Sequence, residues 1–100
     1  MSLRVLTLTL AHILTLKMIL YVKAWCPWCH MAEAVLKKHG IAYQRIDVRT
    51  DAAAYDEMKR VSGQSRAPTL VAGDRVLADF GPEELEEFLK ELNVPALHAS

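Results

Sequence analysis

Lys23-Ala24-Trp25-Cys26-Pro27-Trp28-Cys29-His30 is the stretch on which the fold turns. It holds both cysteines of the chain, with a proline directly after the first. An apolar run, Met18-Ile19-Leu20-Tyr21-Val22, leads in, and a helical pattern from Met31 to His39 leads out. A short run that is apolar throughout predicts a central strand covered on both faces. Pro27 suits the first helical position, because the N–H it lacks would have no partner there. Cys26 then falls at the N-cap, where a sulfur faces unpaired backbone N–H groups and the positive end of the helix dipole. Such surroundings favour thiolate over thiol and can bring a cysteine from about 8.5 to roughly 3.5–7.5. Cys29, in the first turn, is within reach of a mixed disulfide on Cys26. The spacing predicts one cysteine that reacts and one that resolves.

The rest of the composition narrows the setting. The chain has 100 residues, 52% of them hydrophobic and only four of them glycine, which excludes disorder and fits one small domain. Twelve basic and twelve acidic residues cancel, so charge points to neither a nucleic-acid nor a membrane-surface partner. The cancellation is uneven. Residues 1–66 carry ten Lys and Arg against five Asp and Glu, and residues 67–100 carry two against seven. The cysteine pair therefore lies in a locally basic half, near Lys17, Lys23, Lys37 and Lys38. Two cysteines this close are too few for a disulfide framework and read as catalytic or metal-binding, which suggests a cytoplasmic protein.

Residues 1–17 form an extension with a character of its own. Arg4 before an apolar run has the look of a secretory leader, but Thr7, Thr9, His12 and Thr15 interrupt it and no small-x-small cleavage site follows. It is too short and too polar to span a bilayer. Leu6-Thr7-Leu8-Thr9-Leu10 alternates as a strand would, while Leu3, Leu6, Leu10 and Ile13 share one side of a helix. One expectation is that it packs against a second copy in a homodimer. The functional domain is read as residues 18–100.

Downstream, the helix from Pro27 is expected to turn Met31, Ala34, Val35 and Leu36 to a core and to stop at Gly40. Ala42 to Val48 alternates as a second strand, parallel to the first across the helix. Thr50 or Asp51 caps a second helix running to about Val61, ended by Ser62-Gly63. Thr69–Ala72 and Arg75–Ala78 read as a hairpin about Gly73-Asp74, a two-residue turn with glycine first that suits type II′. Pro82 opens the last helix, with Glu83 and Glu84 at its positive end and Leu85, Phe88, Leu89 and Leu92 inward. The order is β-α-β-α-β-β-α.

That order, with Cys-Pro-Trp-Cys after the first strand, resembles the glutaredoxin branch of the thioredoxin superfamily over about Met18 to Leu92. Lys23-Ala24-Trp25-Cys26-Pro27-Trp28-Cys29 is similar to the family's Lys-x-x-Cys-Pro-aromatic-Cys. Ser62 to Pro68 is similar to the segment that sets a cis-proline opposite the cysteines, usually Gly-x-x-Thr-Val-Pro. The resemblance implies an α/β thioredoxin/glutaredoxin-like fold, a four-stranded mixed sheet flanked by three helices. It also implies a Cys26/Cys29 dithiol reducing protein disulfides or glutathione mixed disulfides, with glutathione as cosubstrate and no bound cofactor or metal. The potential expected of such a site is roughly −200 to −230 mV.

The implied glutathione contacts are Lys23, Trp28, Arg66, Ala67, Pro68, Asp79 and Phe80. Two departures bear on them. Arg66-Ala67 replaces Thr-Val before the proline, and Leu77-Ala78-Asp79-Phe80-Gly81-Pro82 stands where the family has Gly-Gly-x-Asp-Asp. In that position the backbone N–H groups of Asp79 and Phe80 are the candidates to hold the γ-glutamyl end. The Phe-Gly-Pro portion is similar to glutaredoxin-like proteins that thioredoxin reductase reduces instead. A dimer bridging an iron–sulfur cluster through Cys26 and glutathione is a further alternative.

Blander readings stand beside these. The bland reading of the cysteines is an inert structural pair, against which stands Pro27 between them at a helix start. Cys26-Pro27-Trp28-Cys29-His30 also matches a c-type haem attachment motif, but haem needs a small helical fold, against the βαβ pattern. Zinc needs two more ligands, and His12, His39 and His98 are scattered. Lys23 and Arg66 are surface cations or carboxylate anchors. Trp25 and Trp28 are read as a docking face rather than as core.

Overall fold

The computed structural model describes residues 17–92. The expectations for residues 1–16, including the strand or helix and the dimer contact, lie outside them. Seven elements follow one another: β1 (Met18–Val22), α1 (Pro27–Lys38), β2 (Gln44–Asp47), α2 (Ala52–Ser62), β3 (Thr69–Ala72), β4 (Arg75–Ala78) and α3 (Pro82–Glu91). The sheet order is β2-β1-β3-β4. β1 runs parallel to β2 and antiparallel to β3, and β3 pairs antiparallel with β4. This is the four-stranded mixed sheet with three helices that the resemblance implies.

β1 shows why an unbroken apolar run was needed. Met18, Leu20 and Val22 enter one core with Cys29, Ala32, Leu36, Leu70, Leu85 and Leu89, which come from α1, β3 and α3. Tyr21, with Ile19 beside it, enters the other with Val48 and Met58, under α2. Alternate side chains of one strand thus feed two layers, as the pleat requires. α1 and α3 cover one face of the sheet and α2 the other.

The ends of the elements follow their local chemistry. Asp51, not Thr50, caps α2, accepting the Ala54 N–H at 3.0 Å, while the Thr50 hydroxyl donates to the Asp47 carbonyl. Gly63 closes that helix at φ 71 as expected, with Ser62 as the last helical residue, one past Val61. Gly73 has φ 63 and Asp74 stays negative, the sign pattern of a type II′ turn. β2 is shorter than the predicted Ala42–Val48, although the Val48 N–H still donates to the Val22 carbonyl at 2.9 Å.

One expectation about α1 is corrected. Met31 is 43% exposed and Ala34 is exposed, while Cys29, Ala32, Val35 and Leu36 are buried. The inward stripe starts from Cys29 rather than from Met31, because packing against β1, β3 and α3 turns the Cys29, Ala32, Val35 and Leu36 face inward.

Candidate functional site

The site is built at the junction of β1 and α1. Cys26 has extended backbone angles (φ −102, ψ 108), and its sulfur accepts the Cys29 N–H at 3.2 Å. The first helical hydrogen bond runs from the His30 N–H to the Cys26 carbonyl. Pro27 fills the first helical position, where a missing N–H leaves nothing unpaired. Cys26 is half-buried and Cys29 is 2% exposed. Burial pushes the Cys29 thiol up to about 12, and its hydrogen bond to Cys26 adds to the rise.

Opposite lies the segment before β3. The Ala67–Pro68 peptide is cis, and the Ala67 carbonyl oxygen is 4.0 Å from the Cys26 sulfur. Gln64 organises this loop: its Oε1 accepts the Arg66 N–H at 2.7 Å and its Nε2 donates to the Thr69 hydroxyl at 3.1 Å. That hydroxyl donates in turn to the Arg66 carbonyl at 2.8 Å. Sequence reasoning missed Gln64; a glutamine flanked by Ser62, Gly63 and Ser65, four residues before the proline, was the available signal.

Of the predicted contact residues, Ala67 faces the Cys26 sulfur, Trp28, Asp79 and Phe80 line one cleft, and Lys23 and Arg66 already hold other groups of the protein. Lys23 donates from Nζ to the Ser65 carbonyl at 3.1 Å and stands 5.7 Å from the Tyr55 ring centroid. Arg66 Nη1 meets Asp79 Oδ2 at 3.2 Å. The Asp79 N–H, expected to be open to a ligand, donates instead to the Pro68 carbonyl at 3.0 Å. The Phe80 side chain is buried. Trp28 lines a cleft of about 270 Å³ with Asp79, Phe80, Gly81 and Glu84. Its ring lies so near Gly81 that a Cβ there would sit 3.4 Å from it. Trp25 is 89% exposed and Trp28 54% exposed, and Trp25 has a left-handed φ of 66.

A second cleft, of about 390 Å³, is lined by Lys23, Val48, Arg49 and Tyr55. Arg49 and Tyr55 were not singled out from the sequence. Their signal is positional: Arg49 follows β2 at the carboxyl end of the parallel pair, where α/β folds gather their ligands.

The glutaredoxin family profile matches residues 18–77, which takes in the cysteines, the cis-proline and most of the hairpin. The chain belongs to the glutaredoxin family. Among curated glutaredoxins, Glutaredoxin 3 of Escherichia coli is 35% identical over 51 residues, 51% of this chain and 61% of that protein. The chain thus matches less than two thirds of that relative's length. The glutaredoxin of Neisseria meningitidis serogroup A is 34% identical over 64 residues, 61% of this chain and 73% of that protein. Among solved structures, a thioredoxin-like protein is 33% identical with a TM-score of 0.68, covering 73% of this chain and all of that one. The glutaredoxin of Archaeoglobus fulgidus, 21% identical at a TM-score of 0.67, covers 76% and 88% and agrees in fold. So does the NrdH-redoxin of Escherichia coli, 24% identical at a TM-score of 0.61, covering 71% and 92%. No helix among the described residues is long and apolar enough to cross a membrane.

Proposed function

We propose that this glutaredoxin-family chain is a thiol–disulfide oxidoreductase in which Cys26 attacks and Cys29 resolves. The carrying observation is the asymmetry of the two sulfurs. The Cys26 sulfur is half-buried and accepts an N–H at the helix start. Cys29 is buried, with its thiol pushed up to about 12 by that burial. A thiol that ionises so high stays protonated at neutral pH and does not compete for the substrate. Cys26 attacks one sulfur of a disulfide, and the electron pair leaves on the other, which takes up a proton. In the resulting mixed disulfide Cys26 no longer carries a negative charge or accepts from the Cys29 thiol. Both influences held the Cys29 thiol up. Their loss eases its ionisation when it must attack Cys26 and release the second substrate thiol.

Reductase assays on two substrates test the assignment. Cys26→Ser should abolish reduction of both a small glutathione mixed disulfide and a protein disulfide. Cys29→Ser should keep the first, which a second glutathione can resolve, and lose the second. Activity that survives Cys26→Ser overturns the roles.

Glutathione is the reductant this reading favours, supported by the family and by two cations for its two carboxylates, Lys23 before the Cys-x-x-Cys and Arg66 before the cis-proline that faces Cys26. Its functional setting is the reducing cytoplasm. A second reading, reduction by thioredoxin reductase, has an observation in its favour: both cations already hold groups of the protein itself. Turnover of the oxidised chain with each reductant in turn decides between them. Efficient turnover with the flavoprotein, together with turnover unmoved by Lys23→Ala and Arg66→Ala, removes glutathione from the account.

A further inference from the structure

We propose that Asp79 tunes thiol selectivity by holding Arg66, so that the Arg66–Asp79 pair lowers, without abolishing, the preference of the site for glutathione over uncharged thiols. The proposal rests on Cys26 and Cys29 being the redox pair. Arg66 directly precedes Ala67, whose carbonyl is 4.0 Å from the Cys26 sulfur, and Asp79 lines one cleft with Trp28 of the dithiol motif, so the pair joins the two segments that flank the site. Its side chains are 75% and 51% exposed, which sets it at the entrance rather than in the core.

Both partners are held in place by bonds of their own. The Asp79 N–H donates to the Pro68 carbonyl at 3.0 Å, and its backbone is left-handed at φ 53, a region that aspartate tolerates better than most residues. Arg66 is gripped through its N–H by Gln64 and through its carbonyl by Thr69. The pair therefore joins two fixed loops, the one before β3 and the one after β4. The partners lie thirteen positions apart in the chain.

The chemistry follows from charge. Glutathione arrives with two carboxylates. Lys23 is held by a neutral carbonyl and by the Tyr55 ring, uncharged partners that a ligand carboxylate replaces with a gain in charge pairing. Arg66 is tied to a carboxylate, so a ligand can only exchange one anion for another, and it does so next to the displaced charge of Asp79. Exposed ion pairs of this kind shift an equilibrium by up to about fivefold. A thiol without a carboxylate meets no such competition.

The test is the first step of reduction. A thiolate attacks Cys26 of the Cys26–Cys29 disulfide, the Cys26 mixed disulfide forms, and the electron pair leaves on the Cys29 sulfur, which takes a proton. Rate constants are measured by stopped-flow tryptophan fluorescence with glutathione and with neutral 2-mercaptoethanol, and their ratio is compared between variants. Asp79→Asn removes the charge and keeps the shape; Asp79→Gly removes it in a residue at home at positive φ. In each, the ratio should rise about three- to fivefold over the wild-type chain at low salt. The gain should shrink at ~0.5 M salt and vanish when Arg66→Gln is added. A ratio unchanged in a folded Asp79→Asn or Asp79→Gly chain overturns the proposal. If the wild-type chain favours glutathione over 2-mercaptoethanol and neither variant alters that preference, only the selectivity role fails. If it shows no preference but Asp79→Asn creates one, the selectivity role stands and glutathione is not the natural reductant.

Discussion

Cys29 donates its backbone N–H to the sulfur of Cys26 at 3.2 Å while its own side chain is 2% exposed. One residue thus supports its partner's sulfur through its backbone and withholds its own through burial. The arrangement follows from a helix start: the N-cap side chain faces the N–H three residues on, and that residue's side chain turns into the core.

Alkylation should separate the two thiols. With iodoacetamide between pH 7 and 9, mass spectrometry of the reduced chain should find Cys26 modified first, and Cys29 only slowly, since it ionises near 12. Faster labelling of Cys29 would reverse the roles assigned above.

Acid should weaken the α1–β2 contact through Glu33. Burial alone would raise its carboxyl, but hydrogen bonds from Tyr43 at 2.7 Å and Arg45 at 3.2 Å outweigh it and hold the group below its usual 4.5. The folded-state value lies below the unfolded one, so the stabilisation is complete above about pH 4.5 and is lost as pH falls through the folded value. Melting temperatures measured from pH 6 down to 3 should fall less steeply for Glu33→Gln than for the wild-type chain. Parallel curves would show that Glu33 carries none of the acid sensitivity.

The centre of the sheet should be the most sensitive to truncation. Leu70 on β3 is fully buried opposite Leu20 on β1. Leu70→Ala should cost about 2–5 kcal/mol in urea unfolding. A cost under about 1 kcal/mol would mean that the core relaxes around the site.

Capping of α2 offers a smaller, local change. Asp51→Ala removes the acceptor of the Ala54 N–H and should cost about 1 kcal/mol, while Asp51→Asn should restore most of it. Thr50→Ala, outside the cap, should cost less than Asp51→Ala in the same unfolding measurement.

The sequence by itself determined whatever depends on neighbours along the chain. Met18–Val22 read as a doubly covered strand, Pro27 suited a helix start, and Gly73-Asp74 matched the twist of a hairpin; all three stand at the predicted residues. The reacting dithiol was legible for the same reason, since a cap and its helix lie within four residues of each other. Tertiary structure decided the phase of α1, which exposes Met31 and buries Ala32. It also decided the partners of the cations. Lys23 reaches Ser65 across 42 residues, and Arg66 finds Asp79 through the β3–β4 register that sets Thr69 opposite Ala78. No local pattern encodes such pairs, because strand order and loop course choose which polar side chains meet, and a charge takes whichever partner the fold delivers to it.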